Sequence, residues 1–295
     1  MKTDNVWKTA LIFKTLAGSQ LYGTSTPESD IDVRGVCHQT AESLIGLTGF
    51  EQYQDDKTDT TIYGLNKFCQ LAAQCNPNIV ELLFAPLTPD TCLWSTKDWT
   101  DLLEIRQSFL SRKARHTFTG YAFAQMKRIE LHHRWIVNPP TKAPIPEEYG
   151  AVQKAEGPYS WPNQELHNAY QNAHAQWRQY QEWLADRNPV RAELERKWGY
   201  DTKHGLHLAR LMTQGEELLS TGRIILPRPD AKWLLEIRNG LMDYDQICAW
   251  AKDRQDRMEE VEKSSPLPWG PDWNTIQFFV MCKNSERLQR LGWIK

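Results

Sequence analysis

A chain of 295 residues with 40% hydrophobic content can bury one large core or two ordinary ones, and it reads as globular. A net charge of −2 and a pI near 6.5 exclude a global pull toward nucleic acid, so any such binding must come from a local patch. No window approaches the roughly 20 apolar residues of a membrane helix, and MKTDNVWKTA lacks the charged-then-apolar layout of a signal peptide, so no membrane association and a cytoplasmic location are expected.

The apolar residues Val6, Trp7, Ala10, Leu11, Phe13 and Leu16 suit either a short helix or a strand, and their spacing does not decide between them. They feed the stretch that organises the chain, GSQLYGTSTPESDIDVRG over residues 18–35. Asp30 and Asp32 alternate with apolar Ile31 and Val33, which predicts a half-buried strand with both carboxylates on one face. Two like charges that close need something positive between them, and an oxygen-seeking divalent cation, Mg2+ or Mn2+, meets that need. Upstream, Gly18-Ser19 offers a turn whose N–H and hydroxyl can hold a phosphate, and Gly23 to Ser29, with Thr24, forms a polar bridge into the strand. The strand continues to Cys37; Arg34 either contacts a triphosphate or braces the loop, and bracing is preferred.

This order of phosphate-holding turn, bridge and metal-holding strand resembles the signature of the DNA polymerase β-like nucleotidyltransferase superfamily, in which a helix ends in Gly-Ser and the next strand carries Asp-x-Asp. With YGT, PESD and DVRG it looks like the RNA-repair-associated branch found in bacteria and phages. The resemblance implies an α/β (α+β) fold: a small mixed sheet bearing the acids, a polymerase β-like palm, followed by a mainly helical domain. It implies transfer of an NMP from a nucleoside triphosphate to an acceptor hydroxyl, foremost an RNA or tRNA 3′ end. Protein or small-molecule acceptors, and a non-catalytic nucleotide- or RNA-binding module, stay open. In that scheme Asp30 and Asp32 bind metal, and Gly18, Ser19, Thr24 and Ser29 contact the nucleotide. A third carboxylate is expected to bind metal and act as general base. Asp59, four residues before Tyr63, fits the family's D-x-x-x-Y pattern; Glu81, in NIVELLF, is the other candidate and needs a partner if buried.

Further along, residues 40–47 predict a short helix capped by Thr40 or Ser43, residues 50–63 a strand or hairpin, and residues 65–75 a helix. After Pro86 and Pro89, residues 98–134 predict two helices meeting near Gly120. Their cations, including Arg106, Arg112, Arg115 and Arg128, form either a solvated face or a patch for triphosphate or nucleic-acid backbone. The adjacent His132 and His133 lack the i, i+4 spacing of a helical metal site and are not expected to hold metal. Six prolines between Asn138 and Pro162 mark a linker or a lid, dividing a catalytic part (1–137), a Pro-rich segment (138–162) and a helical part (163–295).

In the helical part, Asn163 to Asp186 predicts a helix with an aromatic stripe. In DTKHGLHLARLMTQGEELLSTG, Leu206, Leu208, Leu211 and Met212 give an apolar face, while Lys203, His207 and Arg210 share one helical side. The resemblance favours phosphate contacts from Lys203 and His207. Asp230 is expected to cap a helix ending at Gly240, residues 244–263 form an amphipathic helix, and the tail bearing Trp269, Trp273 and Trp293 a connector and helix. Six cysteines without a CxxC pair argue against a zinc site and fit reduced, buried thiols, and most of the thirteen tryptophans are expected in the core.

Overall fold

The computed structural model describes residues 7–47, 49–153, 157–185, 187 and 189–295; Val6 and Asp186, ends of two expected elements, lie outside them. Leu11–Leu16 form a strand (β1), which settles the helix-or-strand question: it pairs with a strand on either side, and Ile12 and Phe13 are both buried. A short helix follows at once (α1, Gly18–Tyr22), then β2 (Val33–Cys37) and α2 (Ala41–Ile45), whose N-cap Thr40 accepts from Ser43 N. The expected hairpin is β3 (Gln52–Asp55) with β4 (Thr60–Gly64), leading into α3 (Leu65–Ala73), the one-turn α4 (Pro77–Val80) and a 3-10 turn over Glu81–Phe84. The edge strand β5 (Cys92–Ser95) completes a sheet of order β3-β4-β2-β1-β5. It is mixed: β2 and β4 run parallel, and the other neighbouring pairs run antiparallel.

Helices make up the rest: α5 (Lys97–Glu104), α6 (Lys113–Val137), α7 (Gln164–Ala185), α8 (Pro189–Trp198), α9 (Thr202–Thr221), α10 (Ala231–Arg238), α11 (Tyr244–Ser264) and α12 (Trp273–Arg290). The expected break at Gly120 does not occur. An interior glycine costs a helix roughly 1 kcal/mol, and the fully buried Phe118 and Ala122 that flank it pack α6 into the helical core with α9. Asp230 precedes α10 as expected but makes no side-chain cap bond, because its carboxylate is taken by Arg228 at 2.9 Å. None of the helices is long and apolar enough to cross a membrane among the described residues.

Two large buried clusters result. One lies on the sheet, where Phe13 stacks on Trp99 at 3.9 Å and α3, α5 and α12 close over it. The other is helical, built from α6, α9, α10 and α11, with Phe84 and Leu226 touching both. Phe84 and Leu226, partly buried and shared by both clusters, join the helical core to the sheet.

Candidate active site

The acids of DID stand just before β2, not within it. Ile31 is 61% exposed, so the alternation has no buried face to pay into, and ladder pairing starts at Val33. Asp32 is still held: its carbonyl accepts from Ala17 N at 2.9 Å, which draws it onto the turn between β1 and α1. At that turn Gly18 has φ +57°, and an added Cβ would lie 2.1 Å from Asp32 Oδ2. Only glycine permits both the left-handed backbone and so close a carboxylate. Gly18-Ser19 therefore opens α1, whereas the signature it resembles places these residues at a helix end.

The parallel register of β2 and β4 sets the next acid. Val33 pairs with Thr60, so Asp32 and Asp59 are neighbours at the starts of adjacent strands. Asp59 sits in the left-handed region (φ 47°), and its carbonyl accepts from Val33 N at 3.0 Å and from Arg34 Nη1 at 2.7 Å. Arg34 Nη2 lies 3.3 Å from Asp32 Oδ1 and 3.6 Å from Asp59 Oδ1, between the two carboxylates. Burial is the main cause that holds the Asp32 carboxyl above its ordinary range; Arg34 opposes this and the Asp59 charge adds to it. A pair of carboxylates that already draws a guanidinium between them, with Asp30 beside them and all-oxygen donors, fits a hard divalent cation.

Nine of the site residues read from the sequence line one cavity of about 290 Å3: Gly18, Ser19, Thr24, Ser29, Asp30, Asp32 and Asp59 on the sheet side, Lys203 and His207 from α9; Arg34 and Glu81 line an adjoining one. Thr24 N donates to Ser19 O at 2.9 Å and Thr26 N to Ser29 Oγ at 2.9 Å, so the bridge is a folded turn wrapped around the cavity. Burial lowers the Lys203 ammonium pKa, and the charges of Arg191 and Arg238 lower it further; burial brings His207 down to about 3, leaving a neutral imidazole at ordinary pH. Tyr22, Glu28, Leu206 and Arg238 also line the cavity and carried no role in the sequence. Arg238 falls two residues before Gly240, at the end of the helix expected after Asp230, and its place beside Gly240 was the available signal.

A family model, RlaP, described as the RNA repair pathway DNA polymerase beta family, matches residues 2–281. The chain belongs to the RNA repair pathway DNA polymerase beta family. It is also 23% identical over 306 residues to a protein of Enterobacteria phage T4 described as an uncharacterized 38.9 kDa protein in the nrdC-mobD intergenic region, covering 84% of this chain and 88% of that one. No solved structure matches it significantly.

Within this family fold, Glu81 stands apart from the other acids. It is 3% exposed; Tyr22 Oη donates to its Oε1 at 2.8 Å, and Arg210 Nη1 lies 3.3 Å from Oε2. Burial nonetheless pushes its pKa up, against the pull of Arg210 and the Tyr22 bond. The basic run on α6 and the segment before it is mostly spent on packing. Arg112 donates to Leu267 O and Ser265 O at 2.9 and 2.7 Å and stacks over Trp269, and Arg115 pairs with Glu259 and Glu262. Arg128 instead faces an adjoining cavity of about 630 Å3 that shares Gly18, Tyr22, Asp32, Lys203 and His207 with the first.

Proposed function

We propose that this protein is a metal-dependent nucleotidyltransferase that moves an NMP from a nucleoside triphosphate to the 3′ hydroxyl of an RNA, with tRNA as the foremost acceptor. The supporting observation is the convergence of Asp30, Asp32 and Asp59 with Gly18, Ser19 and Lys203 on one cavity. Asp30, Asp32 and Asp59 would hold Mg2+ or Mn2+, which neutralises polyphosphate charge and acidifies the attacking hydroxyl. Gly18 N–H and the Ser19 hydroxyl grip the outer phosphates, and Thr24 and Ser29 shape the turn around them. Lys203, a compact ammonium across the cavity, balances the charge that grows on the departing pyrophosphate. His207 binds as a neutral imidazole. Asp59 takes the acceptor proton; its side chain is 55% exposed, open to a macromolecular substrate. The nucleoside lies in the adjoining cavity, against Tyr63 and Tyr121. In this scheme residues 1–137 supply the acids, and residues 163–295 supply Lys203 and His207.

The test is incubation with each α-labelled nucleoside triphosphate, Mg2+ or Mn2+ and a tRNA pool, beside a folded D30A/D32A control. Label passing to RNA, and lost in the control, is expected. Label on protein would redirect the acceptor, and RNA binding without transfer of any nucleotide would make this a non-catalytic module.

A further inference from the structure

A second group of metal-ligating side chains lies outside the carboxylate site, where α6, α8 and the start of α9 meet. His132, Asp201 and His204 each bring a ligand atom to within 4.8 Å of the other two, and Glu195 Oε1 stands 3.7 Å from His132 Nδ1. Asp201 and Glu195 are each 2% exposed. Two features show what these groups lack. His204 Nδ1 lies 2.8 Å from Gln125 Oε1, an acceptor, so Nδ1 carries the proton and Nε2 presents a lone pair. That lone pair faces Asp201 Oδ2, another acceptor, at 3.7 Å. His132 Nδ1 is buried and has no hydrogen-bond partner among the described residues.

These separations exceed a hydrogen bond. They approach the roughly 3.4 Å between ligand atoms that tetrahedral zinc geometry requires with bonds of about 2.1 Å. Each carboxylate is anchored by one oxygen and offers the other: Asp201 Oδ1 accepts from Lys203 N at 2.9 Å, and Glu195 Oε2 pairs with Arg187 at 2.6 Å. Trp135 and Trp183 lie against the His132 ring, 5.7 and 5.5 Å between centroids, and supply an apolar wall. His204 also lines the adjoining cavity of about 630 Å3, which gives an ion a way in.

We propose that His132, Asp201 and His204 form a zinc site whose fourth position is left to water, separate from the all-oxygen carboxylate site and tying α6 to the start of α9, with Glu195 of α8 beside His132. Imidazole donors select zinc over Mg2+. The cysteine pattern could not reveal it, and His132 looked unpromising beside His133 because its partners come from distant segments. Arg191 Nη1, 3.5 Å from Asp201 Oδ2, is the cation that the metal displaces.

The test uses the full chain after chelator treatment, titrated with Co2+ and with Zn2+ in excess Mg2+. Expected are one equivalent bound, the intense visible absorption of tetrahedral cobalt, and its bleaching by zinc. D30A/D32A should keep this signal, and H132A and H204A should each lose it with unchanged circular dichroism. Should either histidine variant fail to fold, Gln125→Leu, which removes the partner that orients His204, is expected to weaken zinc binding roughly 10–100-fold. R191Q should tighten it. Absence of a tetrahedral cobalt spectrum at one equivalent overturns the proposal in favour of a metal-free ion-pair network, as does a spectrum that survives H132A and H204A or disappears in D30A/D32A.

Discussion

Gly18→Ala probes the site at its tightest point. The new Cβ would meet Asp32 Oδ2 at 2.1 Å and Cγ at 2.9 Å, where non-bonded contacts want roughly 3.5 Å, so the carboxylate must retreat by more than ~1 Å. A reacting group misplaced by about 1 Å loses on the order of 100-fold in rate. The backbone adds its own penalty, since the left-handed conformation costs an L residue ~1–2 kcal/mol, or roughly 2–3 °C in melting temperature for a chain of this size. Gly292→Ala separates the two effects: Gly292 has φ +74° and no atom within 4 Å of an added Cβ, so it carries the strain without touching an acid. Transfer of α-labelled nucleotide to tRNA, read beside thermal melts, should fall about 100-fold in Gly18→Ala and stay unchanged in Gly292→Ala. A folded Gly18→Ala protein that transfers at the native rate would refute the claim that the Asp32 position sets activity.

His207 titrates near pH 3 in the folded protein against an ordinary 6.5, chiefly through burial, with Arg210 and Lys203 adding to the shift. The unfolded chain thus binds more protons between these values, so stability is full above about pH 6.5 and falls as pH drops toward 3. His207→Gln should flatten that slope in urea titrations, and an unaltered profile would contradict the assignment. Glu81→Ala strips a buried guanidinium of its partner and should cost roughly 3–5 kcal/mol, whereas Asp59→Asn should abolish transfer with little change in the urea midpoint; the reverse pattern would exchange their roles. Arg112→Ala should lower stability, because two carbonyls lose a charged donor, yet leave RNA affinity and its salt dependence unchanged. A salt slope shallower by about 0.7 would instead mean that Arg112 meets a phosphate.

The candidate site could be read from the sequence because its residues, Asp59 apart, lie in one short string and one helix. Gly18 to Gly35 and Lys203 to Arg210 carry residue types that local spacing places together, so only their meeting across the cavity was left to the fold. Asp59 came from a pattern, and the register of β2 with β4 explains it: Val33 opposite Thr60 makes Asp59 the neighbour of Asp32. What the sequence concealed was tertiary. Gly120 looks like a break until the buried Phe118 and Ala122 outweigh its local cost. Arg112 and Arg115 look like a nucleic-acid face until residues some 150 positions later take up their donors. His132 reads as one of a pair with His133, yet His133 Nδ1 lies 2.7 Å from Gly199 O while His132 turns toward Asp201 and His204.

Glu81 stands outside the proposed chemistry, yet its buried contacts bear on the helix that carries Lys203 and His207. Arg210 stacks over the Tyr22 ring at 4.1 Å, lies 3.3 Å from Glu81 and donates to Gln214 at 2.6 Å, all within buried surroundings that join α9 to α1. A buried ion pair adds little net stability, but the loss of one partner is costly, so such pairs serve best to fix one arrangement against others. On α9, His207 and Lys203 precede Arg210 by three and seven residues, or about 4.5 and 10.5 Å along the axis at 1.5 Å per residue. A slip of α9 by one turn would carry His207 to the place Lys203 now holds and, in the proposed mechanism, leave the pyrophosphate facing a neutral ring. Such a slip would break the Tyr22–Glu81–Arg210 contact and leave its buried charges unpaired. Glu81→Ala should therefore raise the KM for the nucleoside triphosphate even where the fold survives, and an unchanged KM in the folded variant would restrict Glu81 to stability alone.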